Sequence, residues 1–141
     1  MRKILVPVDG SAGSDKAVRC AISLAADKKD AEIILMNVQP NYNTPNVKHF
    51  FSEEQIHSYQ EQLSKEALDH TLEITNKCSV PVRTVVRIGD PGQEICEEAK
   101  ESAVDFIVMG YRGLGIVKRA ILGSVATHVL HETPCPLMIV P

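Results

Sequence analysis

Five short apolar runs, separated by stretches with helical spacing, leave this chain few ways to fold. They are Ile4–Val8, Glu32–Val38, Val82–Ile88, Phe106–Met109 and Leu137–Val140, each four to seven residues long. Runs this short and continuous read as strands buried on both faces, as in a parallel sheet. Between the first two, Ala17, Cys20, Ala21, Leu24 and Ala25 fall on one face of a helix over Ser14–Asp27, with Ser14 or Ser11 as its N-cap. Ser52-Glu53-Glu54-Gln55 is a capping-box sequence. After it, Ile56, Tyr59, Leu63, Ala67 and Ile74 recur at helical spacing as far as Cys78, and the charged residues interleaved with them form a solvated face. Asp90-Pro91 supplies an N-cap and a first-turn proline, and Ile95, Ala99 and Ala103 line the helix that follows. Ser124–His131 is a further short helix, and Asn41–Phe51 reads as a surface loop. Regular alternation of strand and helix means an α/β fold with right-handed crossovers. At 141 residues without repeat or linker, the expected organisation is a single domain over 1–141.

Composition narrows the function classes. Hydrophobic residues make up 44% and charged residues 23%, as in a soluble globular domain. A net charge of −3 argues against a nucleic-acid binder, which presents a basic face. No run of apolar residues is long enough to span a membrane, and Met1-Arg2-Lys3 runs straight into the first strand without a signal-peptide core. Cys20, Cys78, Cys96 and Cys135 are scattered, as expected for reduced thiols, and the expected location is the cytoplasm.

Two strand ends carry unusual residues. The first run contains Pro7, which removes a ladder donor, and passes into Asp9-Gly10-Ser11. The fourth passes directly into Gly110-Tyr111-Arg112-Gly113; nine residues later come Gly123 and Ser124. Open parallel sheets bind ligands beyond the carboxyl ends of their strands, where the strand order reverses. Glycines let backbone N–H groups approach an anion, and a helix opened by Ser124 adds free N–H groups and a positive dipole end. The segment therefore reads as a phosphate holder. It is not a P-loop, because no G-K-[S/T] occurs, and it is not G-x-G-x-x-G. Asp9 also has a purely local reading, as a turn or cap residue.

Other combinations are weaker. The pairs His128/His131 and His57/His70 lack the further ligands a zinc site requires. A hydrolase built from Ser11, His128 and Asp9 lacks a G-x-S-x-G elbow. Ser11-Ala-Gly-Ser14 faintly suggests a flavodoxin-type phosphate loop, but aromatic residues are only 4% of the chain, which disfavours a flavin-stacking site.

Taken together, Gly110-x-x-Gly113, nine residues, then Gly123-Ser124 resembles the nucleotide motif of the universal stress protein family, in its ATP-binding branch. Lys3-Ile-Leu-Val-Pro-Val-Asp9-Gly-Ser, Asp105-Phe-Ile-Val-Met-Gly110 and Cys135-Pro-Leu-Met-Ile-Val-Pro141 resemble the same family, so the likeness runs along essentially the whole chain. The resemblance implies a Rossmann-like, three-layer, open five-stranded parallel sheet in the order 3-2-1-4-5, with helices on both faces. It implies an adenine pocket of Pro7, Val8, Asp9 and Val38 with Met109 beside it, and places Gly110 near the ribose. It sets Arg112, Gly113, Gly123, Ser124 and Val125 around the phosphates of ATP, ADP or AMP, with Mg2+ or Mn2+ accompanying a triphosphate. Tyr111 departs from the family, in which a small hydroxyl residue is common. The implied role is a nucleotide-dependent stress-response or signalling module. The alternatives are a slow ATPase or phosphotransferase drawing charge from Arg112, Lys118 or Arg119, and an interaction protein that binds no nucleotide. The apolar run Leu137–Val140 would lie at a sheet edge and pair two copies as a homodimer.

Overall fold

A computed structural model of the chain describes residues 2–111 and 122–141. Its centre is a five-stranded parallel sheet in the order β3-β2-β1-β4-β5. The strands are β1 (Arg2–Pro7), β2 (Ala31–Gln39), β3 (Val82–Ile88), β4 (Phe106–Gly110) and β5 (Leu137–Val140). Five helices connect or flank them among the described residues: α1 (Ala12–Ala25), α2 (Pro45–Phe50), α3 (Glu53–Thr75), α4 (Pro91–Glu101) and α5 (Ser124–Glu132).

Period-two alternation divides the core between the two faces of the sheet. Ile4, Val6, Ile33, Leu35 and Val108 pack on one face against Ala17, Val18 and Ala21 of α1 and Leu68 of α3. Leu5, Ile34, Met36, Ile107 and Met109 pack on the other, against Ile95 and Ala99 of α4 and Ala126 and Val129 of α5. Both faces of the central strands are covered, so Ile4–Val6, Ile33–Met36 and Ile107–Met109 are apolar and buried, and the three-layer α/β architecture expected from the sequence is the one formed.

Most helix starts follow the capping chemistry of the sequence. Ser11, rather than Ser14, caps α1 and accepts from the Ser14 N–H. Ser52 and Gln55 form the expected capping box of α3, and Asp90 accepts from Gln93 N with Pro91 in the first turn of α4. Three expectations require correction. Asn41–Phe51 is not simply a loop: Thr44 accepts from Val47 N and Pro45 presets the first turn, so Pro45–Phe50 closes into a short helix that buries no residue. Ala103 lies outside α4, because Ser102 caps the helix and Ala103 takes a left-handed φ of 50° immediately after it. The inner stripe of α3 is partly polar: Gln60, Ser64, Thr71 and Thr75 are buried beside Ile56, Ala67 and Leu68, while Tyr59 is 52% exposed and packs against Tyr42 instead.

A pair between His70 of α3 and Asp15 of α1 ties these neighbouring helices together. His70 Nε2 lies 2.9 and 3.0 Å from the two Asp15 carboxylate oxygens. That hydrogen bond, followed by the charge of Asp15, raises the His70 pKa above its usual value. A raised folded-state pKa contributes stability that is fully present below the ordinary histidine value of about 6.5 and is lost as pH rises through the folded value. The difference in Tm between wild type and His70→Gln should therefore be largest near pH 5.5 and shrink towards pH 8; thermal unfolding across that range tests it, and a difference independent of pH would contradict it.

Candidate functional site

The site forms where β1 and β4 part. Their ladder pairs Ile4 with Phe106 and Leu5 with Ile107, whereas β1 stays in register with β2 as far as Pro7 and Met36. Val8 N–H donates to Met36 O at 2.8 Å. Successive N–H groups of a central strand point to alternate sides, so the nitrogen of Pro7, which has no hydrogen, faces β4. Proline thus removes a donor where the two strands separate. Asp9, Gly10 and Ser11 then turn the chain away from the sheet: Gly10 takes a left-handed φ of 81°, and Ser11 N donates to Asp9 Oδ1 at 2.9 Å. The local turn role considered for Asp9 is real, and Asp9 also lines the crevice.

This crevice has a volume of about 430 Å³, within the roughly 300–1,000 Å³ typical of small-molecule sites. Pro7, Val8 and Asp9 line it from the end of β1, Val38 from β2, and Met109 and Gly110 from β4. Gly123, Ser124 and Val125 close it from the start of α5. Nine residues singled out from the sequence therefore meet at one place, the reversal point of the strand order. Arg112 and Gly113 lie outside the described residues, as do Lys118 and Arg119. Met36, Ile95 and Ala126 also line the crevice and were not foreseen; the two-residue step from Met36 to Val38 was the available signal. A larger concavity of about 660 Å³ lies near the opposite ends of the strands, among Arg2, Asp27, Lys28, Lys29 and Asp30. The strand order favours the carboxyl-end crevice, which is the one with an apolar wall.

Gly110 has a packing reason to be glycine. A Cβ there would lie 2.8 Å from the backbone carbon and oxygen of Gly13, so the first turn of α1 sits directly on the end of β4. This close approach seats Ser11 and Ser14 at the crevice rim. On the far side, α5 begins with Gly123 as its N-cap and no side-chain cap, and Ser124 is the first helical residue. Gly123 N–H donates to Tyr111 O at 3.0 Å, and Thr127 N–H returns to Gly123 O. Helical geometry leaves the N–H groups of the first turn directed out of the helix end, here towards the crevice. Asp9 is the one charged side chain among the described lining residues.

A buried polar cluster holds the β1 end in place. Asn37 Nδ2 donates to Val8 O at 2.8 Å, and Asn37 Oδ1 accepts from Gln39 Nε2 at 2.7 Å and from Ser64 Oγ at 2.9 Å. Gln60 Nε2 donates to Pro40 O at 3.0 Å. One amide therefore joins β1, β2 and α3 one residue before Asp9. The signal for it was an asparagine inside the apolar run Ile33–Val38.

With this geometry in view, comparison with known proteins gives the family. The universal stress protein family profile matches residues 1–141. The chain belongs to the universal stress protein family. A universal stress protein of Methanocaldococcus jannaschii is 34% identical over 142 residues, covering 99% of this chain and 81% of that protein. The structure of the universal stress protein UspA from Lactobacillus plantarum superposes with a TM-score of 0.81 at 26% identity, covering 99% of this chain and 97% of the other. An Arabidopsis thaliana member solved with AMP bound has a TM-score of 0.71 at 21% identity, covering 99% and 91% of the two chains. An Archaeoglobus fulgidus member in complex with dAMP has a TM-score of 0.70 at 21% identity, covering 100% and 98%.

Replacing Asn37 by leucine removes the partner of Val8 O, Ser64 and Gln39 together. Leaving buried polar groups unmatched costs about 1–3 kcal/mol each, so Asn37→Leu should lower unfolding free energy by at least about 2 kcal/mol in a urea titration; an unchanged midpoint would show that the cluster is not structural.

Proposed function

We propose that this chain binds an adenine nucleotide in the carboxyl-end crevice and serves as a nucleotide-dependent stress-response or signalling module. The observation that carries this reading is the meeting, at one strand-order reversal, of an apolar wall, the Asp9 turn and an open helix start. The AMP and dAMP complexes of the two fold neighbours support the ligand class.

The crevice is polar at its ends and apolar between them. Val8, Val38 and Met109, with Met36 and Ile95 beside them, offer a surface suited to the flat faces of a purine. Asp9 faces the adenosine part, where a carboxylate accepts from amino or hydroxyl groups and repels phosphate. The first turn of α5 attracts phosphate through its N–H groups and dipole. The two effects orient the nucleotide the same way, base and sugar towards β1 and phosphates towards Gly123, Ser124 and Val125, with Gly110 near the ribose. Arg112 and Gly113 belong to the phosphate end by the motif. ATP, ADP and AMP share this recognition. No group of three or more His, Cys, Asp or Glu side chains among the described residues is placed to hold a metal. Mg2+ or Mn2+ would accordingly enter on the phosphate oxygens of a triphosphate, with the Ser124 hydroxyl within the same end of the crevice. No residue of the motif stands out as the one that orients water, so the reading is of binding rather than turnover.

Isothermal titration of the protein, at tens of micromolar, with ATP, ADP and AMP, with and without Mg2+, tests the reading: a saturable heat with Kd near or below that concentration is expected, reduced at least several-fold by Val38→Glu, which puts a charge into the apolar wall. The absence of heat with all three nucleotides would reject it.

The sheet edge supports a further part of the proposal, pairing of two copies through β5. This strand is an outer one, and Met138 on it is 39% exposed. Sedimentation velocity should show a dimer that Met138→Lys dissociates; a monomer at every wild-type concentration would refute it.

A further inference from the structure

The crevice wall opposite β1 is made by the starts of two different helices. Pro91 and Ile95 come from α4, and Ser124, Val125 and Ala126 from α5. Beside their shared core packing, one close contact joins the two helices near the crevice. A Cβ on Gly92 would lie 2.4 Å from Cγ, 2.5 Å from Nδ1 and 2.7 Å from Cβ of His128, so the imidazole rests directly on the backbone of α4. From that seat His128 Nδ1 reaches Asp90 Oδ2 at 3.3 Å. The same carboxylate oxygen caps α4, accepting from Gln93 N at 3.1 Å. The ring therefore meets the start of α4 twice, by contact at Gly92 and by the approach of Nδ1 to the Asp90 carboxylate. On its own helix His128 lies one turn after Ser124, and helical side chains lean back towards the N-terminus.

We infer that His128, seated on Gly92 and held by Asp90, is a positioning residue that aims the first turn of α5 at the nucleotide phosphate. This rests on the adenine-nucleotide reading above and adds a residue to it. The physical argument is directional. Hydrogen bonding from helix N–H groups to phosphate falls steeply as the donors turn away from the acceptor. The start of α5 has a glycine N-cap without a side-chain cap, so its own capping fixes it weakly. Core packing of Ala126 and Val129 holds the helix to the sheet. Rotation of its first turn is opposed by the His128 contact with α4. Apolar binding of the base is made by β1, β2 and β4 with Ile95 of α4, and does not depend on the angle of the first turn of α5.

The inference predicts that phosphate recognition and base recognition separate. The test compares AMP with adenosine by isothermal titration for wild type, His128→Ala, His128→Asn and Gly92→Ala. Asparagine keeps an N–H donor near the position of Nδ1. The Gly92 change displaces the ring from the opposite helix without altering His128. The expected result is a loss of AMP affinity of up to about fivefold in His128→Ala, matching the removal of one partly exposed pair. Adenosine affinity should stay within about twofold of wild type. Gly92→Ala should reproduce the loss and His128→Asn should recover part of it. Melting temperatures are measured on each variant, and the affinity ratio is read from the folded protein.

An unchanged ratio of AMP to adenosine affinity in both His128→Ala and Gly92→Ala would overturn the inference while leaving nucleotide binding intact. An equal loss for both ligands would also overturn it, by assigning His128 to general structure. If wild type bound neither AMP nor adenosine, the function proposed above would fall and this inference with it.

Discussion

Enclosure of β1 on every side is the constraint on which the rest of the architecture depends. It has β2 and β4 as neighbours and helices on both faces, so Ile4, Leu5 and Val6 are fully buried. A strand in that position must match every backbone polar group to a partner. It does so until Leu5 on the β4 side; beyond that, Pro7 presents no hydrogen to be matched. The opening at the strand end is therefore created without an orphaned donor. Asn37 then takes up the carbonyl of Val8, just past the end of the strand. A crevice at the centre of a close-packed sheet is possible because the chain supplies one residue lacking a donor and another carrying a spare one.

The sequence conveyed the layers more readily than the details at their edges. Strand positions were legible because both sheet faces are covered, and continuous apolar runs such as Ile33–Met36 have no other stable placement. Caps were legible where one side chain decides the geometry, as at Ser52 and Asp90. The short helix at Pro45–Phe50 was not, because it buries nothing and leaves no apolar period to detect. Thr44-Pro45 was its one signal, and that pair is equally at home in a turn. The α3 stripe misled for a related reason. Tyr59 has the right spacing to face inward, yet the inner positions are held by Gln60 and Ser64, whose burial depends on Asn37 and Pro40 far away in the chain. Tertiary hydrogen bonding of this kind is invisible to a count of apolar residues.

The candidate site shows the same division. Asp9 and Gly110 stood out at the ends of strands, and Gly123 by its spacing from Gly113 ahead of a helix start. Yet the reason for Gly110 that the geometry supplies is the proximity of Gly13, a contact between distant segments, and not an approach of phosphate to backbone. Gly92 drew no attention in the sequence, where it follows Asp90-Pro91 as an ordinary first-turn residue, although a histidine ring occupies the space its side chain would fill. Glycines of identical appearance can thus hold a turn, admit a helix or seat a ring, and only the neighbours distinguish these uses.

The half-polar inner face of α3 has a consequence for how the protein breathes. A helix held by Gln60 and Ser64, with Thr71 and Thr75 buried beside them, hides little oil from water for its length, so its detachment releases little of the heat-capacity and denaturant response that marks global unfolding. Segments of that kind open below the global threshold, as separate cooperative units. Here the unit is fastened to Asn37, which holds Val8, the residue before Asp9. Each such opening loosens the rim of the crevice, so a ligand seated there would slow amide exchange along a helix that contributes no wall to its pocket.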